Sequence, residues 1–128
     1  MRSQGTRPRL VRGLGRGSVV DFCLGFVRDN YARNYSMSEL ATLAQISVSY
    51  MFRTFKRKTG LTPLRYRNRV RIDEAKRLLR DRALSLEQVA RRVGFDDRKY
   101  FGRVFKKETG LSPREFCNRS FSGSRVRS

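Results

Sequence analysis

The side chains in this sequence that could do chemistry are mostly cationic, and they recur in pattern. Around position 50 the chain reads SVSYMFRTFKRKTG, and around position 100 it reads DRKYFGRVFKKETG. At helical spacing Met51 and Phe55 share one face of the first run, leaving Ser49, Phe52, Arg53, Lys56 and Arg57 on the opposite stripe. In the second run Phe101 and Phe105 turn inward, so that Arg98, Lys99, Gly102, Arg103, Lys106 and Lys107 face out. A helix with such a stripe fits the major groove of duplex DNA, where base edges present a distinguishable set of donors, acceptors and thymine methyls. Its cations can also neutralise backbone phosphates.

Other chemistries have little to work with. The chain contains no His, which excludes zinc sites of the usual Cys/His kind, and Cys23 and Cys117 read as small buried hydrophobes rather than a disulfide or a redox pair. A nucleophile would need a Lys or carboxylate base, and the sequence offers no clustered acids and no phosphate-cradling glycine loop. No catalytic residue, metal or cofactor is therefore expected. The net charge of +19 points to a polyanionic partner. The 23 basic residues between positions 18 and 119 outnumber all 11 acids by 12, so the part expected to fold is basic in its own right. Charge alone does not choose between DNA and RNA, and an RNA or general nucleic-acid binder is the main competing reading. The few aromatics available to the surface do not make the stacking platform of single-strand binders. No apolar run approaches the roughly 20 residues of a membrane span, and the apolar stripes are needed for mutual packing, which argues against a membrane-surface peptide.

The elements that must position the two stripes can be read from caps and periodicity. Residues 1–17 hold Arg, Gly and Ser without period and read as a basic flexible arm, and 120–128 as a flexible tail. Val19, Val20, Cys23, Phe26, Val27 and Tyr31 predict a first helix ending near Asn34. Ser36-Met37-Ser38-Glu39 is a capping box before a short second helix, 39–44; Ser47 can cap a third helix that Gly60 stops. Thr62-Pro63 opens the longest helix, carrying Tyr66, Val70, Ile72, Ala75, Leu78 and Leu79 to about Asp81. Ser85-Leu86-Glu87-Gln88 is a second capping box, before a short helix with Leu86, Val89, Ala90 and Val93 inward. Asp96 or Asp97 caps the sixth helix, Gly110 closes it, and Ser112-Pro113 opens a short last one.

These elements repeat. FKRKTGLTPLRYRNR at 55–69 returns as FKKETGLSPREFCNR at 105–119, with eight of fifteen positions identical. The expectation is an all-α fold of about seven helices, with two homeodomain-like helix-turn-helix units, 18–62 and 83–119, joined by a linker helix over 63–82. About 18 residues at 1.5 Å each make that helix roughly 27 Å long, somewhat short of the ~34–36 Å between successive major-groove faces. Two readers so joined would enter adjacent grooves and bend the duplex.

The run GFDDRKYFGRVFKKETGLSPREF, residues 94–116, resembles the C-terminal signature of AraC/XylS regulators. SELA, SVSYMFRTFKRKTG and RIDEAKRLL resemble the matching first-unit and linker patterns, so that the likeness covers roughly residues 19–119. It implies a cytoplasmic, nucleoid-associated bacterial transcription regulator that reads double-stranded promoter DNA and acts on RNA polymerase. It places base contacts on Ser49, Phe52, Arg53, Arg98, Lys99 and Arg103. Arg53 and Arg103 suit bidentate bonds to guanine, and Phe52 suits a thymine methyl. Phosphate contacts are expected from Ser47, Lys56, Arg57, Lys106, Lys107 and the backbone N–H groups at helix starts. Two departures stand out: Gln45 occupies a turn position where the family often has Gly, which predicts a different first turn, and Arg67 replaces a common apolar residue. The family also usually carries an effector-binding or dimerisation domain ahead of this region, where this sequence has the arm.

Overall fold

Four serines, a threonine and an aspartate start helices here, because each places a side-chain oxygen where the first turn has N–H groups without partners. In the computed structural model, which describes residues 16–81 and 83–119, the first helix is α1, Arg16–Asn30. Ser36 caps α2 (Met37–Leu43) in a closed capping box, its hydroxyl accepting from Glu39 N at 2.9 Å while its own N–H donates to the Glu39 carboxylate at 2.7 Å. Ser47 caps α3 (Val48–Thr59) by accepting from Tyr50 N. Thr62 accepts from Arg65 N to open α4 (Pro63–Leu79). Ser85 and Gln88 close the second box ahead of α5 (Leu86–Arg92), and Asp97 caps α6 (Arg98–Thr109). Ser112 and Glu115 form a third box at the start of α7, residues 113–119; the Ser112 backbone N–H holds the Glu115 carboxyl below its ordinary range. All the regular structure in the described residues is helical. No helix among them is long and apolar enough to cross a membrane.

The chain divides into two compact units at Arg67/Asn68. In the first, α1 and α2 both pack on α3, burying Val20, Cys23, Val27, Leu40, Ala44, Met51 and Phe55. Arg67 belongs to this core: Nη1 donates to the Tyr35 carbonyl at 2.7 Å, and the guanidinium lies 4.7 Å from the Tyr35 ring centroid. The apolar position expected there is thus filled by the stem of an arginine whose head is bonded to backbone. In the second unit α5 packs on α6, and Phe95, Phe101, Phe105 and Phe116 form a chain of ring contacts 5.4–5.7 Å apart. Arg71 is buried with its guanidinium over Phe95.

Several boundaries differ from expectation. α1 stops at Asn30, four residues early, because Asn30 Nδ2 donates to the Phe26 carbonyl and Arg33 N turns back to Asn30 O. Tyr31 therefore lies in the turn. α2 begins at Met37, since a box on Ser36 requires the helix to start at the next residue. α4 ends at Leu79: Arg80 and Asp81 make tightened i→i−3 bonds, and the Asp81 carboxylate then accepts from Ala83 N, which starts the loop. Leu86 and Cys117 are half-buried rather than interior.

The first turn does not differ from the second. Ile46 N donates to Ala41 O at 3.0 Å, as Phe95 N donates to Ala90 O at 2.9 Å, and Gln45 takes φ 62 where Gly94 takes φ 107. The six-residue hydrogen-bonded closure specifies the left-handed residue, and Gln45, exposed and unbranched at Cβ, adopts that conformation at modest cost. The second turn is longer by one residue, Asp96, ahead of its cap.

Of the arm expected over 1–17, residues 1–15 lie outside the described residues, as do the tail (120–128) and Arg82, while Arg16 and Gly17 already belong to α1, which therefore starts two residues before Ser18.

Candidate nucleic-acid interface

α3 and α6 are held from beneath by equivalent anchors. Met51, Thr54 and Phe55 are buried on α3, and Phe101, Val104 and Phe105 on α6. At their C-termini Gly60 and Gly110 both take φ 86, and their N–H groups donate to Lys56 O and Lys106 O at 2.7 Å. Thr59 and Thr109 bond in the same way to the carbonyls four residues earlier, at 2.8 Å. With one face and both ends fixed, the opposite stripe of each helix is defined.

On α3 that stripe exposes Ser49, Arg53, Lys56 and Arg57, with Ser47 exposed at the cap; Phe52 is half-buried. On α6 it exposes Arg98, Lys99, Arg103, Lys106 and Lys107. Lys99, Arg103, Lys106 and Lys107 line one open cleft of about 660 Å³ together with Gly102 and Ser112. Arg98 lines a neighbouring cleft of about 290 Å³ with Leu86, Phe101, Gly102, Pro113 and Arg114.

Electrostatics separate these cations from the rest. Among the described residues, ion pairs join Arg69 to Glu108, Lys76 to Asp73, Arg77 to Glu74 and Arg91 to Glu87. None of these involves a cation of the two stripes. Lys56, Arg57, Lys106 and Lys107 sit in last turns, where a positive charge favours the helix dipole, so they have a folding role as well. Arg98 and Lys99 sit in the first turn of α6, where the dipole opposes a cation. Their placement gains nothing within the helix beyond what the Asp97 carboxylate offsets.

Sequence reasoning missed two partners of the arginines. The Arg53 guanidinium lies 5.8 Å from the Tyr50 ring centroid and that of Arg103 lies 5.7 Å from Tyr100. The signal was available: a Tyr three residues before an Arg occurs in both copies of the repeat, which puts ring and guanidinium on adjacent turns of one face. Ser112 and Arg114 were also missed, because they reach the α6 clefts from the next helix.

The family model for the helix-turn-helix domain matches residues 40–119. Curated relatives include the HTH-type transcriptional activator RhaS of Enterobacter sp. (strain 638), 36% identical over 96 residues covering 74% of this chain and 34% of that protein. The RhaS of Klebsiella pneumoniae (strain 342) is 38% identical over 78 residues, covering 61% of this chain and 28% of that one. The chain thus spans about a third of the length of these relatives. Among solved structures, a probable AraC family transcriptional regulator from Rhodopseudomonas palustris superposes with TM-score 0.70 at 28% identity, covering 79% of this chain and 95% of that one. The DNA-binding domain of AdpA, solved in complex with a target DNA, has the same fold with TM-score 0.75 at 24% identity, over 85% of this chain and 97% of that one. The chain belongs to the helix-turn-helix domain family, in its AraC-type branch.

Proposed function

We propose that this chain is the sequence-specific, double-stranded DNA-binding module of a transcription regulator, with α3 and α6 as its two reading helices. The observation that carries the reading is the duplicated stripe of exposed cations without ion pairs on two helices whose opposite faces and ends are fixed by matching anchors. Such a surface suits a polyanion, and a helix presenting it suits the major groove. Arg53 and Arg103 are assigned to guanine edges, Arg98 and Lys99 to bases or phosphate, Ser49 to a base edge and Phe52 to a thymine methyl. Ser47, Lys56, Arg57, Lys106 and Lys107 hold the backbone. Adjacent grooves are read with α4 as the connection, and the duplex bends to admit both helices.

The RhaS relatives are named transcriptional activators. By that likeness the regulator's further partner is RNA polymerase, and its site of action the nucleoid.

The test is binding to duplex, single-stranded DNA and RNA of the same sequence across salt concentrations. Preference for one duplex over random duplex supports the reading. With six to ten phosphates neutralised, affinity should fall by about 10³ to 10⁵ between about 50 and 200 mM salt. Equal affinity for RNA and duplex, without sequence preference, contradicts it.

A further inference from the structure

Gly102 sits in the middle of α6, on its outward stripe, where glycine is a poor choice for the fold. A glycine inside a helix is less favourable than alanine because the unfolded chain loses more freedom. No packing constraint requires it: a Cβ built on Gly102 would meet no atom within 4 Å. The corresponding position of α3 carries Phe52, so the repeat itself tolerates a large side chain there. The space the glycine leaves is not featureless. Gly102 lies on both α6 clefts, and the larger gathers Lys99, Arg103, Lys106 and Lys107 around it, with Ser112 at the edge. Ser112 itself is engaged with Glu115, its Oγ accepting from Glu115 N and its side chain bonding the Glu115 carboxylate, so the cations are what the cleft offers a ligand.

We infer that Gly102 is a close-approach point for the DNA backbone, admitting a phosphate of one strand against the bare α6 main chain, among the surrounding cations. The choice of phosphate over a base follows from charge: four cations converge on the cleft, and a phosphate is the unit of duplex DNA that carries a full negative charge. A consequence is asymmetry between the two readers. α6 seats more closely on its DNA than α3, where Phe52 stands at the same place. This inference rests on the DNA-binding reading above.

Gly25 provides the control, since it is also helical and also has nothing within 4 Å of a Cβ, but lies on α1 and belongs to neither stripe. Gly102→Ala and Gly25→Ala should each raise the melting temperature by about 3 to 6 °C, the shift expected from helix propensity in a domain of this size. Only Gly102→Ala should weaken DNA binding, by about tenfold or more. Because a phosphate carries no sequence information, the loss should be equal on the preferred duplex and on random duplex. Unchanged or tighter binding by the stabilised Gly102→Ala protein overturns the inference while leaving the DNA-binding reading intact. A loss confined to one base position overturns it in favour of a base contact. Absence of duplex binding by the unsubstituted protein overturns both.

Discussion

The guanidinium of Arg103 lies 5.7 Å from the ring centroid of Tyr100, and Arg53 lies 5.8 Å from Tyr50 in the same relation fifty residues earlier. Both arginines are exposed, where a long side chain would otherwise sample many rotamers. A ring on the preceding turn restricts that freedom at the cost of little affinity for acceptors, since the in-plane N–H groups still point outward. In the proposed mode the aromatic residue positions an arginine for a guanine edge.

Replacing Tyr100 by Leu should therefore weaken binding to the preferred duplex by about two- to fivefold, the equivalent of an exposed cation–π contact of roughly 0.5–1 kcal/mol. Tyr100→Phe should bind as the original protein does, because the ring is kept. Titration of a labelled duplex with the three proteins checks this, with melting curves to allow for the Tyr100 contact to Phe95.

The two turns make a stability prediction. Gln45 takes a left-handed conformation that costs an L-residue about 1–2 kcal/mol, of which glycine's greater unfolded-state freedom returns part. Gln45→Gly should stabilise the first unit by about 0.5–1 kcal/mol. Gly94→Gln should destabilise by more, since Gly94 is buried and its φ of 107 lies further from what a side chain tolerates. Urea denaturation of both variants measures the difference directly.

How much of this was legible in the sequence depends on where the determining interaction lies. Ser36 with Glu39 and Ser85 with Gln88 are local signals, and the helices begin where those pairs require. Gly60 and Gly110 likewise marked helix ends, because no other residue type takes φ 86 as readily. The misjudged ends are those where a side chain caps against apparent periodicity: Asn30 folding back on Phe26, and Asp81 capturing Ala83. Gln45 was misjudged because residue type pointed one way and the hydrogen-bonded closure of the turn another. The positions of half-buried Arg67 and buried Arg71 depend on rings distant in sequence, Tyr35 and Phe95, which no local pattern connects to them. The exposure of the stripes' cations was readable, since the inward Phe and Met residues define that face, whereas Phe52 is half-buried and Ser112 and Arg114 reach the α6 clefts only through tertiary packing.

The two cysteines should behave differently. Cys23 is fully buried, and burial raises its thiol from 9.0 to about 11, while Cys117 is half-buried with its Sγ 3.9 Å from Leu79 O. Alkylation of the native protein should modify Cys117 first and reach Cys23 only on unfolding, which peptide mass analysis resolves. The raised thiol also has a pH consequence. The unfolded thiol ionises near its ordinary value and the folded one near 11, so the stability held by the neutral buried thiol is complete below about pH 9 and is lost as pH rises through 11. The loss approaches about 1.4 kcal/mol per pH unit within that window. Cys23→Ala should remove this component of the alkaline stability profile.

Whether two helices read two grooves is decided by selection from a library of random duplexes at about 150 mM salt. A site with two blocks about one helical turn apart should be enriched, with Arg53→Ala relaxing one block and Arg103→Ala the other. Each substitution should cost about 1–3 kcal/mol on its own block. Binding without enrichment, or enrichment that neither substitution alters, would contradict the two-groove reading.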